Sequence, residues 1–496
     1  MAQSNNGLKF DLAANGMTEV TVSADNTSVS NEEQQVLLDK TSRTGDSCHA
    51  YRDALAALIA CFGAVSIGLV LGYSNPALLD HDLMRVLQHD KEKQAWFGSL
   101  VNIGAILGCP ISAVFVGKLG RKTTMMLCTL PMSAGWFLIV YGSEYILVFC
   151  GRILTGIAMG MTSVVVPMYV AEVARPEHRG ILGAGFQLFV TIGILGVYTL
   201  GIPLNWNWLA VVCLAVSTVN ALLLLYIPDT PRWYISQNER GLAFESLAWL
   251  LGSNENLDDE YNEIERNLTS QSTEEIKIRD FAEPGIYRPM LISFGLMFFQ
   301  QMSGINAVVF YSSSIFSNAG FSSNPLIPTI IIGAVLVGAN FLSCLLMDRA
   351  GRRVLLLLSG IFMTLSVTVL GVYYYLADVR KFENLSWLSL ISVLVFVVSF
   401  SFGWGPIPWL VTSEIVPAKA RGIIFGLATS ISWALAFLIT KEFQHMVDSM
   451  HSYGAFWFFG AFCLAGFVFV ALFMPETKGR SLEEIQEDFS ASSVST

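Results

Sequence analysis

The amino-acid sequence predicts an all-α membrane protein in which twelve transmembrane helices form two six-helix halves that repeat each other. Three observations support this fold class. Hydrophobic residues make up 53% of the 496 positions and charged residues only 14%, whereas soluble domains carry roughly 25% charge. After a polar beginning, the chain contains twelve apolar runs, each near the ~20 residues that a bilayer requires. Three pairs of charged motifs recur at matching positions after these runs.

The composition also limits the classes of function. A soluble protein with this many apolar residues would need a larger core than single domains achieve, so the surplus must face lipid. The net charge of −10 comes largely from acidic residues between Pro228 and Pro289, which we interpret as a solvated loop. Seven of the eight cysteines lie in apolar runs without metal-ligand or Cys-x-x-Cys spacing, so we predict neither a metal site nor a disulfide framework.

Residues 1–52 are rich in Ser, Asn, Thr and acidic residues, so we expect a disordered tail. The tail lacks the apolar segment of a cleavable signal peptide. Within it, Glu33 precedes the pair Leu37 and Leu38 in the arrangement of an acidic dileucine signal, which clathrin adaptors bind. The alternative is an ordinary leucine pair in a polar tail.

The first half occupies residues 53–227, and the second half occupies residues 289–474. Between them, the polar segment at 228–288 is predicted to form short amphipathic cytoplasmic helices, and a short cytoplasmic tail follows at 475–496. The apolar runs of the first half are Ala54–Ser74, Trp96–Val116, Thr123–Tyr141, Tyr145–Val166, Ile181–Gly201 and Trp208–Ile227. Those of the second half are Pro289–Phe316, Leu326–Met347, Val354–Leu376, Trp387–Val411, Ile423–Thr440 and Tyr453–Phe473.

The distribution of Lys and Arg predicts the orientation of the chain in the membrane. With an even number of spans both termini lie on one side, and the short loops there carry ten Lys and Arg against six in the loops of the other side. The termini and the 228–288 segment are therefore predicted to be cytoplasmic. Asn384, in the sequence Asn384-Leu385-Ser386, then lies outside and would accept a glycan.

Three motif pairs relate the two halves. Gly120-Arg121-Lys122 follows span two, and Gly351-Arg352-Arg353 follows span eight. Glu172 precedes Arg179-Gly180 by seven residues, and Glu414 precedes Arg421-Gly422 by the same distance. The third pair comprises Pro228-Asp229-Thr230-Pro231-Arg232 after span six and Pro475-Glu476-Thr477-Lys478-Gly479-Arg480 after span twelve. Parallel six-span repeats of this kind resemble the arrangement of major facilitator transporters.

All of these motifs lie at the predicted cytoplasmic ends of spans, where opposite charges can pair when the two halves meet. We hypothesise an inner gate formed by ion pairs among Glu172, Arg179, Arg232, Glu414, Arg421 and Arg480. The alternative is that the basic residues only anchor their loops on the cytoplasmic side. Anchoring does not explain why an acidic residue stands at a fixed distance before each Arg-Gly pair.

One stretch of span seven, Phe299 to Tyr311, holds three amide side chains inside an apolar run. Amides are costly in hydrocarbon unless they are paired. On a regular helix Gln300, Gln301 and Asn306 would not share a face, but a break at Ser303-Gly304 would change their directions. Broken spans with polar groups form the substrate sites of secondary transporters. Hydrogen bonding to neighbouring helices, as packing contacts, is the alternative.

Several motifs resemble, in family order, the signatures of the sugar porter family of the major facilitator superfamily. They are Pro167–Glu172, Arg179-Gly180, Pro228–Trp233, Gln300–Asn306, Asp348–Arg353, Gly405–Trp409 and Pro475–Arg480. The resemblance extends from about Ala54 to Ile485. The sequence Gly403-Trp404-Gly405-Pro406 and the predicted outer sequon resemble most closely animal class III facilitative glucose transporters and insect trehalose transporters.

This resemblance implies a central sugar site formed by Gln187, Gln300, Gln301, Asn306, Trp409 and Trp433. Amides suit a neutral sugar because they both donate and accept hydrogen bonds, and indole rings suit the C–H faces of a sugar. The alternative for the two tryptophans is interfacial anchoring or packing. The resemblance adds Asp348 and Arg349 to the gate. Pro406 and Pro408 would interrupt span ten, and Tyr311 would close over the sugar.

Three positions depart from the family pattern. Leu336 stands where many members have Asn or Gln, which would remove one sugar contact. Gly117 stands where the first-half loop normally has an acidic residue, which would weaken the gate on that side. Ser74 follows Gly72-Tyr73, where proton-coupled members carry Asp. Arg152, inside span four, has no partner that the sequence identifies, although an unpaired buried Arg would be costly.

We therefore predict facilitative uniport of a neutral sugar by alternating access, with glucose or another hexose as the expected substrate. The alternatives are a trehalose or polyol transporter, a proton-coupled sugar symporter and a sugar sensor that binds without transport. The sequence has no glycine-rich phosphate loop, metal cluster or Ser/His/Asp set, so we predict no enzyme activity, no cofactor and no nucleic-acid partner. The expected location is the plasma membrane, an endosomal–lysosomal membrane, or both.

Overall fold

The computed structural model describes residues 51–175, 177–252, 257–270, 278–310, 326–380 and 386–480, together with residues 484 and 489. In these residues the chain forms helices and no strand. Twelve helical segments of the described chain are long and apolar enough to cross a membrane. The predicted fold class is confirmed, and the protein is an integral multi-pass membrane protein.

The described part of the first half contains seven α-helices, and all but the second are candidate membrane spans. They are α1 (Arg52–Ala77), α2 (His81–Val86), α3 (Lys91–Leu119), α4 (Arg121–Val140), α5 (Tyr145–Val173), α6 (Arg179–Leu200) and α7 (Trp206–Leu223). Asp80 and Asp90 cap α2 and α3, because each carboxylate accepts the backbone N–H two residues later, at 2.8 and 2.9 Å. These caps fix where two helices begin at one end of the bundle.

Three short helices follow span six: α8 (Pro231–Ser236), α9 (Arg240–Leu251) and α10 (Leu257–Ser270). Their buried apolar side chains form a small cluster of their own, made by Ile235, Ala243, Leu247, Tyr261 and Ile264. The described part of the 228–288 segment is thus largely helical.

The second half has two interrupted spans. Span seven consists of α11 (Pro284–Met302) and α12 (Ile305–Phe310), and span ten consists of α15 (Ser386–Phe402) and α16 (Ile407–Ile415). Spans eight and nine are α13 (Leu326–Ala350) and α14 (Arg352–Arg380). The long α17 (Ala418–Phe473) contains the last two spans, and its backbone leaves the helical conformation at His451, where φ is 60°.

Each half has a large buried apolar cluster. Within the first half, glycines allow close helix packing. A Cβ on Gly68 of α1 would lie 2.0 Å from the carbonyl of Val190 in α6, and one on Gly104 of α3 would lie 2.3 Å from the carbonyl of Ile153 in α5. The two halves meet mainly where α6 packs against α13 and where α3 packs against α17.

The two ends of the bundle differ in charge. We call the end at which α1 begins the basic face, since it carries the Arg-rich loops after α3 and α13. The end at which α1 terminates is the opposite face.

Candidate functional site

A cavity of about 150 Å³ lies between the two halves. At the ~30 Å³ that one water molecule takes in the liquid, it has room for about five water molecules, which is the scale of a small organic solute. All six predicted sugar-site residues line it. The polar side chains of the lining are Ser74, Asn75, Asn102, Ser163, Gln187, Thr191, Tyr198, Gln300, Gln301, Asn306 and Thr440. The described lining contains no Asp, Glu, Lys or Arg, so the cavity suits an uncharged polar ligand.

The predicted break in span seven is present and brings two of the amides together. α11 ends at Met302, and Gly304 has a φ of +84° before α12 begins. Across the break, Asn306 Nδ2 donates to Gln301 Oε1 at 2.6 Å. Gln301 Nε2 donates in turn to Ser432 Oγ of α17 at 2.9 Å. These amides therefore bond to protein groups and also line the cavity.

Gln300 supports the break in span ten. Its Nε2 donates to the carbonyl of Trp404 at 2.7 Å and to that of Gly405 at 3.0 Å. Both carbonyls lie between α15 and α16, and carbonyls released by a helix break require a donor inside a membrane. Gln300 Oε1 is buried and has no hydrogen-bond partner among the residues that the structure describes.

The two prolines of span ten occupy different positions. Pro406 lies in the break, directly before α16. Pro408 lies in the first turn of α16, where a proline is tolerated because the backbone N–H would have no partner within the helix. The interruption of span ten thus ends at Pro406, and Pro408 follows it within the first turn of α16.

The two predicted tryptophans join the halves at the cavity wall. Each is largely buried, at 6% exposure. Trp409 of α16 packs against Phe186 of α6, with ring centroids 5.7 Å apart. Trp433 Nε1 donates to Ser163 Oγ of α5 at 3.2 Å. Both indoles therefore lie inside the protein rather than at a membrane surface, and both present surface to the cavity.

Several cavity residues of the first half were not predicted, namely Asn75, Asn102, Ser163, Thr191 and Tyr198. Their signal was an uncharged polar side chain in an apolar run. That signal is weak, because Ser112 shares it and only donates to the Met161 carbonyl, at 3.0 Å. In the second half, Leu336 lines the cavity, so the wall is apolar at this position.

Arg152 is fully buried in α5, and its partners are neutral. Its Nε donates to the Phe97 carbonyl at 3.1 Å, its Nη1 to the Val70 carbonyl at 3.2 Å and its Nη2 to Ser74 Oγ at 2.6 Å. The guanidinium carbon also lies 4.9 Å from the ring centroid of Phe97, a favourable cation–π distance. The structure thus identifies the partners that the sequence did not.

Glu172 is the centre of one charge cluster at the basic face. Its carboxylate accepts hydrogen bonds from Arg121 Nη2 of the first half at 2.7 Å and from Thr230 Oγ1, at the start of the 228–288 segment, at 2.8 Å. Arg421 of the second half approaches the same carboxylate, with Nη1 at 3.6 Å. The side chains of Glu172 and Arg421 are buried, at 1% and 2% exposure, and this ion pair connects the two halves.

Glu414 is the centre of the matching cluster in the second half. It accepts a hydrogen bond from Thr477 Oγ1 at 2.8 Å and lies 3.5 Å from Arg352 Nη2. Arg179 of the first half interacts with it electrostatically. The repeat thus places an acid, a threonine and two arginines in the same arrangement twice.

Asp348 adds a link that has no counterpart. Its Oδ2 accepts the backbone N–H of Ile181 in the first turn of α6 at 2.9 Å, so an acid of the second half caps a helix of the first. Its other oxygen lies 3.4 Å from Arg352 Nη1. The equivalent position in the first half is Gly117, where a Cβ would meet nothing within 4 Å.

Asp229 and Glu476 support the two motif loops in the same way. Asp229 accepts the first two backbone N–H groups of α4 at 3.0 and 3.1 Å. Glu476 accepts the first two of α14 at 2.9 and 3.1 Å. Burial raises the pKa of Asp229 above its ordinary value, and the backbone N–H groups partly offset this effect.

Other predicted residues lie at the edge of these clusters or beyond the described chain. Arg232 is in α8, two residues after Thr230, and Arg480 ends the motif after span twelve. Arg349 is exposed, and its carbonyl accepts a hydrogen bond from Lys478 Nζ at 2.7 Å. The predictions for Tyr311, Asn384, Glu33, Leu37 and Leu38 fall outside the described residues.

Comparisons with known proteins agree with this architecture. The sequence model of the family described as "Sugar (and other) transporter" matches residues 56–489. Solute carrier family 2, facilitated glucose transporter member 8 of Bos taurus is 36% identical, over 92% of this chain and 98% of its own length. Facilitated trehalose transporter Tret1 of Bombyx mori is 39% identical, over 87% of this chain and 86% of its own length.

The fold is also found among solved structures. The structure of the major facilitator superfamily proton:xylose symporter XylE bound to 6-bromo-6-deoxy-D-glucose has a TM-score of 0.79 and 22% identity, and the match covers 89% of this chain and 100% of that one. The proteins with which this chain shares both family and fold are transporters and not enzymes. The chain therefore belongs to the sugar transporter family of the major facilitator superfamily.

Proposed function

We propose that this protein is a facilitative uniporter that moves glucose or another neutral hexose across a membrane by alternating access. The observation that carries the proposal is the cavity between the halves, whose described lining is built from amides, hydroxyls and indoles without charge. Amides serve sugar hydroxyls as both donors and acceptors. Relatives named facilitated glucose and facilitated trehalose transporters support the same class of substrate.

We assign sugar binding to Gln187, Gln300, Gln301, Asn306, Trp409 and Trp433. Gln301 and Asn306 already bond to each other, so a sugar would use the second N–H of each amide and the free Asn306 oxygen. The indoles would cover its C–H faces.

The Ser74–Arg152 contact supports uniport over proton coupling. A proton-coupled carrier needs a group within the membrane that binds and releases a proton. Position 74 carries a hydroxyl, and Arg152 donates to it rather than to a carboxylate. The described cavity lining also offers no carboxylate or histidine. Symport is the alternative, because the protein of similar fold is named a proton:xylose symporter.

We propose that the basic face is cytoplasmic and that its cross-half contacts hold it closed. The contacts are the Glu172–Arg421 pair, the Glu414–Arg179 interaction and the Asp348 cap on α6. Alternating access would separate them as the halves rotate. Arg232, Arg349 and Arg480 would support the closed face, Pro406 would allow α16 to move, and Pro408 and Tyr311 would contribute to gating.

Trafficking follows from the same orientation. The termini would be cytoplasmic, so that Glu33, Leu37 and Leu38 would be available to clathrin adaptors. Asn384 would be glycosylated on the other side. The protein would reside in the plasma membrane, in endosomal–lysosomal membranes, or in both.

Counterflow in proteoliposomes tests the proposal, with glucose, fructose, trehalose and inositol as the exchanged solutes. We expect exchange of a hexose. Exchange of trehalose alone or of inositol alone would show that the substrate is a disaccharide or a polyol and not a hexose. Across an imposed pH gradient, uptake should stop at equilibrium, and accumulation beyond it would contradict uniport. Gln187→Leu in the cavity should lower exchange, but Gln237→Leu on the exposed surface should not. Binding without exchange would identify a sensor.

A further inference from the structure

The hydroxyl of Ser74 has a direction that its partners determine. Arg152 Nη2 donates to Ser74 Oγ, and a guanidinium cannot accept a hydrogen bond in return. A helical serine usually donates to the carbonyl three or four residues earlier, which here belongs to Leu71 or Val70. The Val70 carbonyl already accepts from Arg152 Nη1 and from the backbone N–H of Ser74 within the helix, which uses both of its lone pairs. Among the described residues, the side-chain contact of Ser74 is the one with Arg152, and it makes no bond to the Leu71 carbonyl. The hydrogen of Ser74 is therefore left for the cavity that the residue lines.

The Ser74 hydroxyl is also a stronger donor than an ordinary serine. Its oxygen accepts from a full positive charge at 2.6 Å, and hydrogen bonds in such a chain polarise one another. Arg152 is fully buried, and the partners that the structure gives it are carbonyls, this hydroxyl and aromatic rings. Its charge is therefore not reduced by a neighbouring carboxylate.

Gln300 presents the opposite polarity to the same cavity. Its Nε2 donates to two backbone carbonyls, which fixes the orientation of the amide, since a flipped amide would direct its oxygen at both of them. With both N–H groups used in this way, the amide has only its Oε1 acceptor left, which is buried and has no partner in the described part of the chain. The cavity thus offers a donor on α1 of the first half and an acceptor on α11 of the second.

We propose that Ser74 is a specificity-determining substrate contact, and that the sugar binds with fixed polarity between the two halves. One sugar oxygen accepts from the Ser74 hydroxyl, and a hydroxyl at another carbon donates to Gln300 Oε1. This assignment rests on the proposed transport of a neutral hexose. Fluorine accepts hydrogen bonds weakly but cannot donate them. The assignment therefore predicts that a fluorine in place of the hydroxyl facing Ser74 preserves binding, whereas a fluorine in place of the hydroxyl facing Gln300 weakens it.

A panel of deoxy- and deoxyfluoro-hexoses, used as competitors of hexose counterflow, tests the assignment. At the carbon whose oxygen faces Ser74, the wild-type protein should bind the deoxyfluoro analogue as tightly as the unmodified hexose. It should bind the deoxy analogue on the order of tenfold more weakly, which is the loss expected for one charge-assisted hydrogen bond. At a second carbon both analogues should bind weakly. In Ser74→Ala the deoxy penalty at the first carbon should disappear, while the pattern at the second carbon stays.

Matched variants separate recognition from folding. Ser74→Thr retains the hydroxyl and should retain the wild-type pattern. Ser66→Ala removes a buried hydroxyl from the same helix, outside the cavity lining, and should also leave the pattern unchanged. Competition patterns are compared within each variant, so they do not depend on the amount of folded protein.

Two results would overturn the assignment, and they differ in meaning. If Ser74→Ala keeps the full wild-type pattern while the wild type exchanges hexose normally, only the role of Ser74 is wrong. If the wild type neither binds nor exchanges any hexose, the proposed function is wrong, and this assignment falls with it.

Discussion

Replacement of Arg421 by Leu should open the basic face without unfolding the first half. Glu172 loses its partner from the second half, but it keeps Arg121 of its own half at 2.7 Å and Thr230 of the segment that follows that half at 2.8 Å. The substitution therefore leaves no buried carboxylate without a partner, which is the usual reason that broken buried ion pairs are strongly destabilising. What is lost is the attraction between the halves.

The size of the effect follows from the geometry of the pair. At a separation of 3.6 Å, Coulomb's law with an effective dielectric constant near 20 gives about 5 kcal/mol. Opening allows both charges to regain hydration, which offsets most of this attraction. A net coupling of about 1–3 kcal/mol would remain, and it corresponds to an increase of about 5- to 150-fold in the ratio of open to closed molecules.

The native thiol of Cys61 provides the assay. Cys61 in α1 is buried, donates to the Leu182 carbonyl near the start of α6 and lies near Cys344 of the other half. The parent for this assay is a variant in which Cys61 is the single cysteine. A membrane-impermeant thiol reagent applied from the basic face should label Cys61 about 5- to 150-fold faster when Arg421→Leu is added to this parent. Arg421→Lys keeps the charge and should be intermediate.

Thr230→Val is the control for this experiment. It removes a hydrogen bond to Glu172 that comes from the 228–288 segment and leaves the connection between the halves intact. Its labelling rate should therefore equal that of the parent. Equal rates in Arg421→Leu and the parent would refute the reasoning, because the pair would then contribute nothing to closure of the basic face.

Three further changes should act at single positions. Gly117→Asp fills open space with the acid that the other half has at this point, so labelling from the basic face should slow, whereas Gly117→Asn should have a smaller effect. Gly304→Ala requires a side chain at φ +84° and 2.6 Å from an aromatic ring of α17. It should cost at least about 1–2 kcal/mol, lowering the melting temperature of the purified protein, while Gly338→Ala, in open space, should be neutral. Lys441→Gln removes a cation 4.7 Å from the ring centroid of Trp96 in the other half, near the opposite face. A loss of about 0.5–2 kcal/mol there should favour opening of that face and slow the same labelling, and unchanged labelling would exclude a gating role.

The parts of the structure that the sequence predicted are those that residue type and spacing determine. Long apolar runs define the twelve spans, because a bilayer accepts few other segments. The fixed distance from Glu172 to Arg179, repeated from Glu414 to Arg421, identified residues of two matching charge clusters. The break at Gly304 was also predictable, since an amide-rich span with a Ser-Gly pair has few ways to satisfy its polar groups inside a membrane.

Contacts made by backbone carbonyls could not be predicted in this way. The backbone carbonyl is the same in every residue, whatever the side chain. The sequence therefore gives no sign that the carbonyls of Val70 and Phe97 accept hydrogen bonds from Arg152. It also gives no sign that those of Trp404 and Gly405 accept from Gln300. These contacts nevertheless determine what the two side chains offer a ligand. Gln300 has the composition of a donor and an acceptor, but its carbonyl partners leave it an acceptor alone. Ser74 offers the cavity a donor and not an acceptor, because the buried guanidinium of Arg152 already donates to its oxygen. The positions of donors and acceptors in the sugar site are therefore set by the folded backbone around it. Substitutions that shift these carbonyls should alter sugar specificity even when every side chain that lines the cavity is retained.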